Sequence, residues 1–143
     1  MSDKNKITRT KKINPLFGLL GMFGFLGFMG FWTYKTSGLV FPFIFFAFFG
    51  FFGFYYAGKM SDTLMDERFY ENQAKAEKKA NKITFIMIWL ALLITGNYLA
   101  QFNIEYAFIA LLILVSLAFA LGFFMSQYLL YKYDHESFDD CEE

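Results

Sequence analysis

The apolar positions of this chain fall in four unbroken blocks, without the one-face periodicity a water-soluble core would need. Residues 16–34, 39–57, 83–100 and 106–128 hold no Asp, Glu, Lys, Arg or His. Crossing a hydrocarbon layer of roughly 30 Å takes about 20 apolar residues of helix, so each block is long enough to span a membrane. The pattern therefore predicts an all-α membrane protein of four transmembrane helices, arranged as two hairpins in one four-helix bundle. Asn14-Pro15 reads as an N-cap followed by proline at the first helical position, where its missing N–H costs nothing. Lys35-Thr36-Ser37-Gly38 is short enough to force an antiparallel turn, and Pro42 falls in the opening turn of the second span.

Polar residues gather in three places. Residues 1–13 form a basic N-terminus, 14–57 a Gly/Phe-rich hairpin, 58–82 a charged arm, 83–130 a second hairpin and 131–143 an acidic tail. In the arm, Met65, Phe69, Ala76 and Ala80 recur at helical spacing, Glu71 and Lys75 stand four apart, and Thr63 with Asp66 fits a capping box. The expectation is a helix over 61–82 running into the third span, about 30 Å long at 1.5 Å per residue. Met65, Arg68, Phe69, Glu71, Lys75, Lys78 and Lys79 are its candidate partner-binding residues. Whether the arm stands free or lies on the lipid is open at this point.

Charge sets an orientation. The 13 basic residues and 13 acidic ones cancel overall, but five basic residues precede the first span, six separate spans two and three, and one lies in the tail. Only Lys35 falls on the other side. Lys and Arg are retained on the cytoplasmic side, so both termini and the arm are expected in the cytoplasm of a cell-membrane protein. The basic segment and first apolar run resemble a signal peptide, but that run is 19 residues long with no small-x-small cleavage site, and it reads as a retained span.

Gly18, Gly21, Gly24, Gly27 and Gly30 recur every third residue, and Gly50 and Gly53 repeat the spacing in span two. On an α-helix five such glycines drift by about 240° around the axis. Only a 3₁₀ helix would align them, and such helices rarely persist beyond three or four residues. The expectation is a spiral of helix-packing notches that receive aromatic rings. Ala118, Gly122 and Ser126 form a small-xxx-small run aimed at a neighbouring helix, in this chain or in another copy.

Little in the sequence points to chemistry. No ionisable group lies within the spans, which disfavours a coupled transporter or proton relay. His135 stands among Asp134, Glu136, Asp139, Asp140 and Cys141, but the spacing fits no standard metal motif, and one cysteine forms no internal disulfide. Nucleotide, protease and hydrolase motifs are missing, so no enzyme, cofactor, metal or nucleic-acid partner is expected. Trp32, Tyr34, Tyr55, Tyr56 and Tyr98 read as interfacial anchors.

The segment Asn14-Pro15-Leu16-Phe17-Gly18-Leu19-Leu20-Gly21, continuing as Gly24-Phe25-Leu26-Gly27-Phe28, resembles an uncharacterised family of small bacterial membrane proteins, domain of unknown function 3796. The resemblance implies no activity and no functional residue. It implies companionship with helix-turn-helix regulators or peptide-antibiotic immunity systems. The leading expectation is a non-catalytic interaction, signalling or immunity protein acting through its arm, with the bilayer and a protein at the arm as partners. The alternative is a small oligomeric channel or the accessory subunit of a transporter.

Overall fold

A computed structural model describes residues 10, 12–99, 101 and 103–139. Four helices in it are long and apolar enough to cross a membrane, and no strand occurs among the described residues. Span 1 (Pro15–Ser37) opens where the Asn14 side chain accepts the Leu16 N–H at 3.0 Å, and closes at Gly38, whose φ of 68° suits the left-handed cap. Span 2 covers Phe41–Lys59, with Pro42 in its first turn. Span 3 runs over Glu67–Ile94 and continues in a π-helical turn, Thr95–Leu99. Span 4 (Ile104–Asp139) starts at Asn103, whose side chain accepts the Glu105 N–H at 2.8 Å.

The start of the arm differs from the capping box expected of Thr63 and Asp66. Asp66 is itself the cap, its Oδ1 accepting the Phe69 N–H at 2.7 Å, so the helix begins at Glu67. Thr63 belongs to the turn before it, its hydroxyl donating to the Met60 carbonyl. At the other end, the helix of span 4 continues to Asp139, so most of the segment expected as a solvated acidic tail is helical.

The largest departure from expectation lies in the first hairpin. Pro15–Phe28 and Phe41–Phe52 are 3₁₀ helices of 14 and 12 residues, each continued by a short α-helix. With three residues per turn, positions i and i+3 eclipse, and the glycines that would spiral around an α-helix stand in one straight row. Span 2 supplies the matching row, Phe43, Phe46, Phe49, Phe52 and Tyr55. A Cβ added at Gly21, Gly24, Gly27 or Gly30 would lie 2.7, 2.5, 2.7 and 2.6 Å from a ring atom of Phe52, Phe49, Phe46 and Phe43 respectively. Gly18 continues the row against the Cβ and backbone of Tyr55, where an added Cβ would lie 3.1 Å from the Tyr55 Cβ. The rings stack on one another along the row, with centroids 6.4, 6.1 and 6.2 Å apart from Phe43 to Phe52. Each of three also meets a span 1 ring edge-on: Phe31–Phe43, Phe28–Phe46 and Phe25–Phe49, at 5.0, 5.1 and 5.2 Å. Such pairs contribute about 0.5–1.5 kcal/mol each, which offsets the poorer hydrogen-bond geometry of the 3₁₀ backbone.

The second row of span 2 faces the other way. Gly50 abuts Ala120 and Phe123, and Gly53 abuts Phe124 and Gln127, so these two glycines seat span 2 on span 4 rather than on span 1. Gly122 lies against Thr84, and Ala118 is buried, so the small-residue run of span 4 turns toward span 3 of the same chain, with Ser126 bonding back to the Phe123 carbonyl. Packing therefore proceeds in the order 1–2–4–3, and the expected bundle is an open row. Among the described residues spans 1 and 3 do not approach each other, and spans 1 and 4 meet through side chains at one end. There Tyr34 donates to Glu105 Oε2 at 3.1 Å and its ring faces Tyr106.

Two cysteine pairs distinguish the straight row from a spiral. In a Cys141→Ser background, Gly21→Cys with Phe52→Cys and Gly30→Cys with Phe43→Cys are both expected to form disulfides in native membranes. Nine α-helical residues turn about 900°, half a turn net, so an α-helical span 1 would give only one of the two. Gly27→Ala is expected to destabilise the hairpin by about 1–3 kcal/mol in detergent unfolding, with partial recovery on adding Phe46→Leu.

Candidate functional site

Polar side chains concentrate at the end of the row where spans 2 and 3 are joined, and there they form a folded cap. The chain before span 1 crosses this end as a strap. Thr10 N–H donates to the Thr63 carbonyl at 2.8 Å, the Thr10 hydroxyl donates to the Met60 carbonyl at 2.7 Å, and Ile13 N–H donates to Ser61 Oγ at 2.9 Å. Pro15 passes so close to Gly58 that a Cβ there would lie 2.6 Å from its Cα. The turn itself places Asp62 at φ 70°, a left-handed conformation that Asp tolerates better than most residues.

The arm is packed down. Phe69, Asn72, Ala76 and Ala80 recur at three- and four-residue steps and are all buried. Phe69 and Ala76 join Met60, Leu129 and Leu130 in one core, with Met65, Tyr128 and Tyr131 against it. Asn72 Nδ2 donates to the Tyr133 carbonyl and Lys79 Nζ to the Tyr133 hydroxyl, both at 3.4 Å. The arm therefore packs on span 4 instead of standing free. Of its candidate partner-binding residues, Phe69 is 4% exposed and Met65 is half-buried against the core, so both take part in the packing of the cap. Glu71, Lys75, Lys78 and Lys79 are exposed, and Arg68 is half-buried near Asp134.

Past Leu130 the apolar run of span 4 has ended, and Asp134 is buried in the cap at 7% exposure. Burial pushes its carboxyl above the ordinary range, while the charges of His135 and Arg68 pull it back. The His135 ring lies against Tyr131, with centroids 4.2 Å apart, which gives it a packing role. No group of three His, Cys, Asp or Glu positioned for a metal occurs among the described residues, and Asp140 and Cys141 lie outside them. Beneath the strap a cavity of about 210 Å³ is lined by Thr10, Met60, Phe69, Gln73, Glu77 and Gln127. Of these, Gln73 Nε2 donates to Glu77 Oε1 one turn along the same helix, at 2.8 Å.

The face of the arm opposite the core is basic. Glu71, Lys75, Lys78 and Lys82 follow steps of four, three and four, one stripe of an α-helix, with Lys79 beside it. Glu71 and Lys75 are paired at 3.9 Å with both side chains more than 60% exposed, an interaction worth little in water. The stripe thus remains net positive and is held rigid by the packing behind it. Sequence spacing identified the helix. It missed that Phe69 anchors the arm to span 4, although the tyrosines and leucines of 128–133 supply the matching apolar surface.

Four apolar helices packed in a row beneath a folded polar cap define a multi-pass helical membrane protein. The chain belongs to a family of predicted membrane proteins, domain of unknown function 2178, whose model matches residues 9–130. The match takes in the strap and the apolar part of all four spans, and it gives no support to the resemblance drawn from the segment 14–28 to domain 3796. No curated protein and no solved structure gives a match.

The cap makes a direct prediction. Phe69→Ala is expected to cost about 3–5 kcal/mol of local stability and Asp66→Ala about 1 kcal/mol. Hydrogen exchange over 67–80 should then rise steeply in the first variant and modestly in the second, with the amides of the first hairpin unchanged.

Proposed function

We propose that this is a non-catalytic interaction protein of the cell membrane, with both termini in the cytoplasm, that engages a protein partner through the basic stripe of its cap. The observation that carries this reading is the rigid seating of Phe69, Asn72, Ala76 and Ala80 on span 4. It leaves Lys75, Lys78, Lys79 and Lys82 as a pre-organised positive surface at the membrane boundary. A surface already ordered before contact loses little conformational entropy on binding, and its charge steers acidic partners toward it. The distribution of Lys and Arg supports the cytoplasmic placement of this end. The open row also supports an interaction role over a channel within one chain, because its spans enclose no lumen among the described residues.

Signalling or immunity against membrane-active peptides is the setting this reading favours. Crosslinking from native membranes tests it, comparing the intact protein with a variant carrying Lys75→Glu, Lys78→Glu, Lys79→Glu and Lys82→Glu. Lys59, Arg68 and the five basic residues before span 1 still outnumber Lys35 on the other side, so insertion should be retained while a specific crosslinked partner is lost. The same partner captured at the same yield by both proteins would remove the stripe from the account.

A further inference from the structure

Where span 2 leaves the apolar layer, four tyrosines and a lysine converge. Tyr55 and Tyr56 end span 2, and Tyr128 and Tyr131 stand on successive turns of span 4. The Tyr56 ring centroid is 5.3 Å from that of Tyr128 and 5.5 Å from that of Tyr131. Into this cluster reaches Lys59, its ammonium 4.8 Å from the centre of the Tyr55 ring and 5.5 Å from that of Tyr131. Ring faces orient a cation without neutralising it. Lys59 is exposed, and among the described residues it takes part in no ion pair.

Immediately deeper in the row is a groove of about 480 Å³. It follows from the packing order: among the described residues the backbones of spans 2 and 3 do not approach each other, so a slot is left between them with span 4 as its floor. Its walls are Phe49, Phe52, Met87, Leu117, Leu121 and Phe124, all apolar. Phe124 joins the two features, because it lines the groove, stacks on Tyr128 at 6.2 Å and meets Tyr56 edge-on at 5.7 Å. From Leu117 to Tyr131 the site extends about 21 Å along span 4, at 1.5 Å per residue.

We propose that this is a binding site for one anionic phospholipid, its phosphate on the Lys59 ammonium and the neighbouring tyrosine hydroxyls, one acyl chain in the groove. The Lys59 ammonium, in no ion pair among the described residues, stands at the end of the apolar span, and the slot beside it is walled by apolar side chains. Phosphatidylcholine offers the same phosphate but adds a quaternary ammonium, which the Lys59 charge repels at rings that already hold a cation, so the site prefers a headgroup of net negative charge. An interfacial belt of tyrosines alone would anchor to any headgroup and show no such preference.

The test is native mass spectrometry of the full chain purified in detergent, titrated with phosphatidylglycerol or phosphatidylcholine of matched acyl chains. One phosphatidylglycerol should be retained in preference to phosphatidylcholine, and soluble glycerol phosphate should not displace it. Lys59→Ala should weaken phosphatidylglycerol about fivefold, the contribution of one lysine near an anionic surface, and phosphatidylcholine by less, so that the preference between the two is lost. Lys59→Arg should keep the preference, and Leu121→Trp, which fills the groove, should weaken both lipids alike. The proposal is overturned by a wild-type protein without headgroup preference, by a preference that survives Lys59→Ala, by displacement with glycerol phosphate, or by full binding to Leu121→Trp.

Discussion

Helices in hydrocarbon have no hydrophobic reason to associate, because a lipid tail is as apolar as a leucine, and every backbone amide must be bonded within its own segment. Association then depends on how closely two surfaces fit. In this protein the fit is the meeting of a glycine row with a phenylalanine row, five contacts whose residue numbers all sum to 73, from Gly18–Tyr55 to Gly30–Phe43. The 3₁₀ backbone keeps both rows straight enough to meet along their length. It also stretches the chain: 14 residues rise about 28 Å as a 3₁₀ helix against about 21 Å as an α-helix. Span 2, only 19 residues long, gains reach in the same way.

The second hairpin solves the same problem with ordinary α-helices. Small residues let spans 3 and 4 approach at Gly122, and beyond the apolar layer the hydrophobic effect takes over. There Phe69, Ala76, Leu129 and Leu130 leave water together, a burial that does favour association. The two hairpins thus rest on different physics and are joined by one seam, where Gly50 and Gly53 of span 2 meet Ala120 and Phe124 of span 4.

Much of this was legible in the sequence, for reasons that differ by region. Block length alone marked the four spans, and helical spacing marked the arm. The period of three was visible too, yet read against the usual brevity of 3₁₀ helices it pointed to a spiral. The deciding signal lay in span 2, where Phe43, Phe46, Phe49, Phe52 and Tyr55 share the same period. One periodic row tolerates either backbone, whereas two facing rows of equal period favour the one that aligns both. Packing order was not legible, since contacts between spans distant in the chain leave no local trace. For the same reason the burial of Phe69 was missed, because its partners lie some 60 residues onward.

A straight row with three residues per turn also constrains how the hairpin could change in length. Removing one residue from span 1 rotates everything beyond it by about 120° and turns a row of Leu and Phe side chains toward the rings of span 2. Removing three restores the face and shifts the pairing by one rung. Length variation in this hairpin is therefore quantised: whole triplets, matched in both spans, preserve the fit, while any other change replaces notches with bulk.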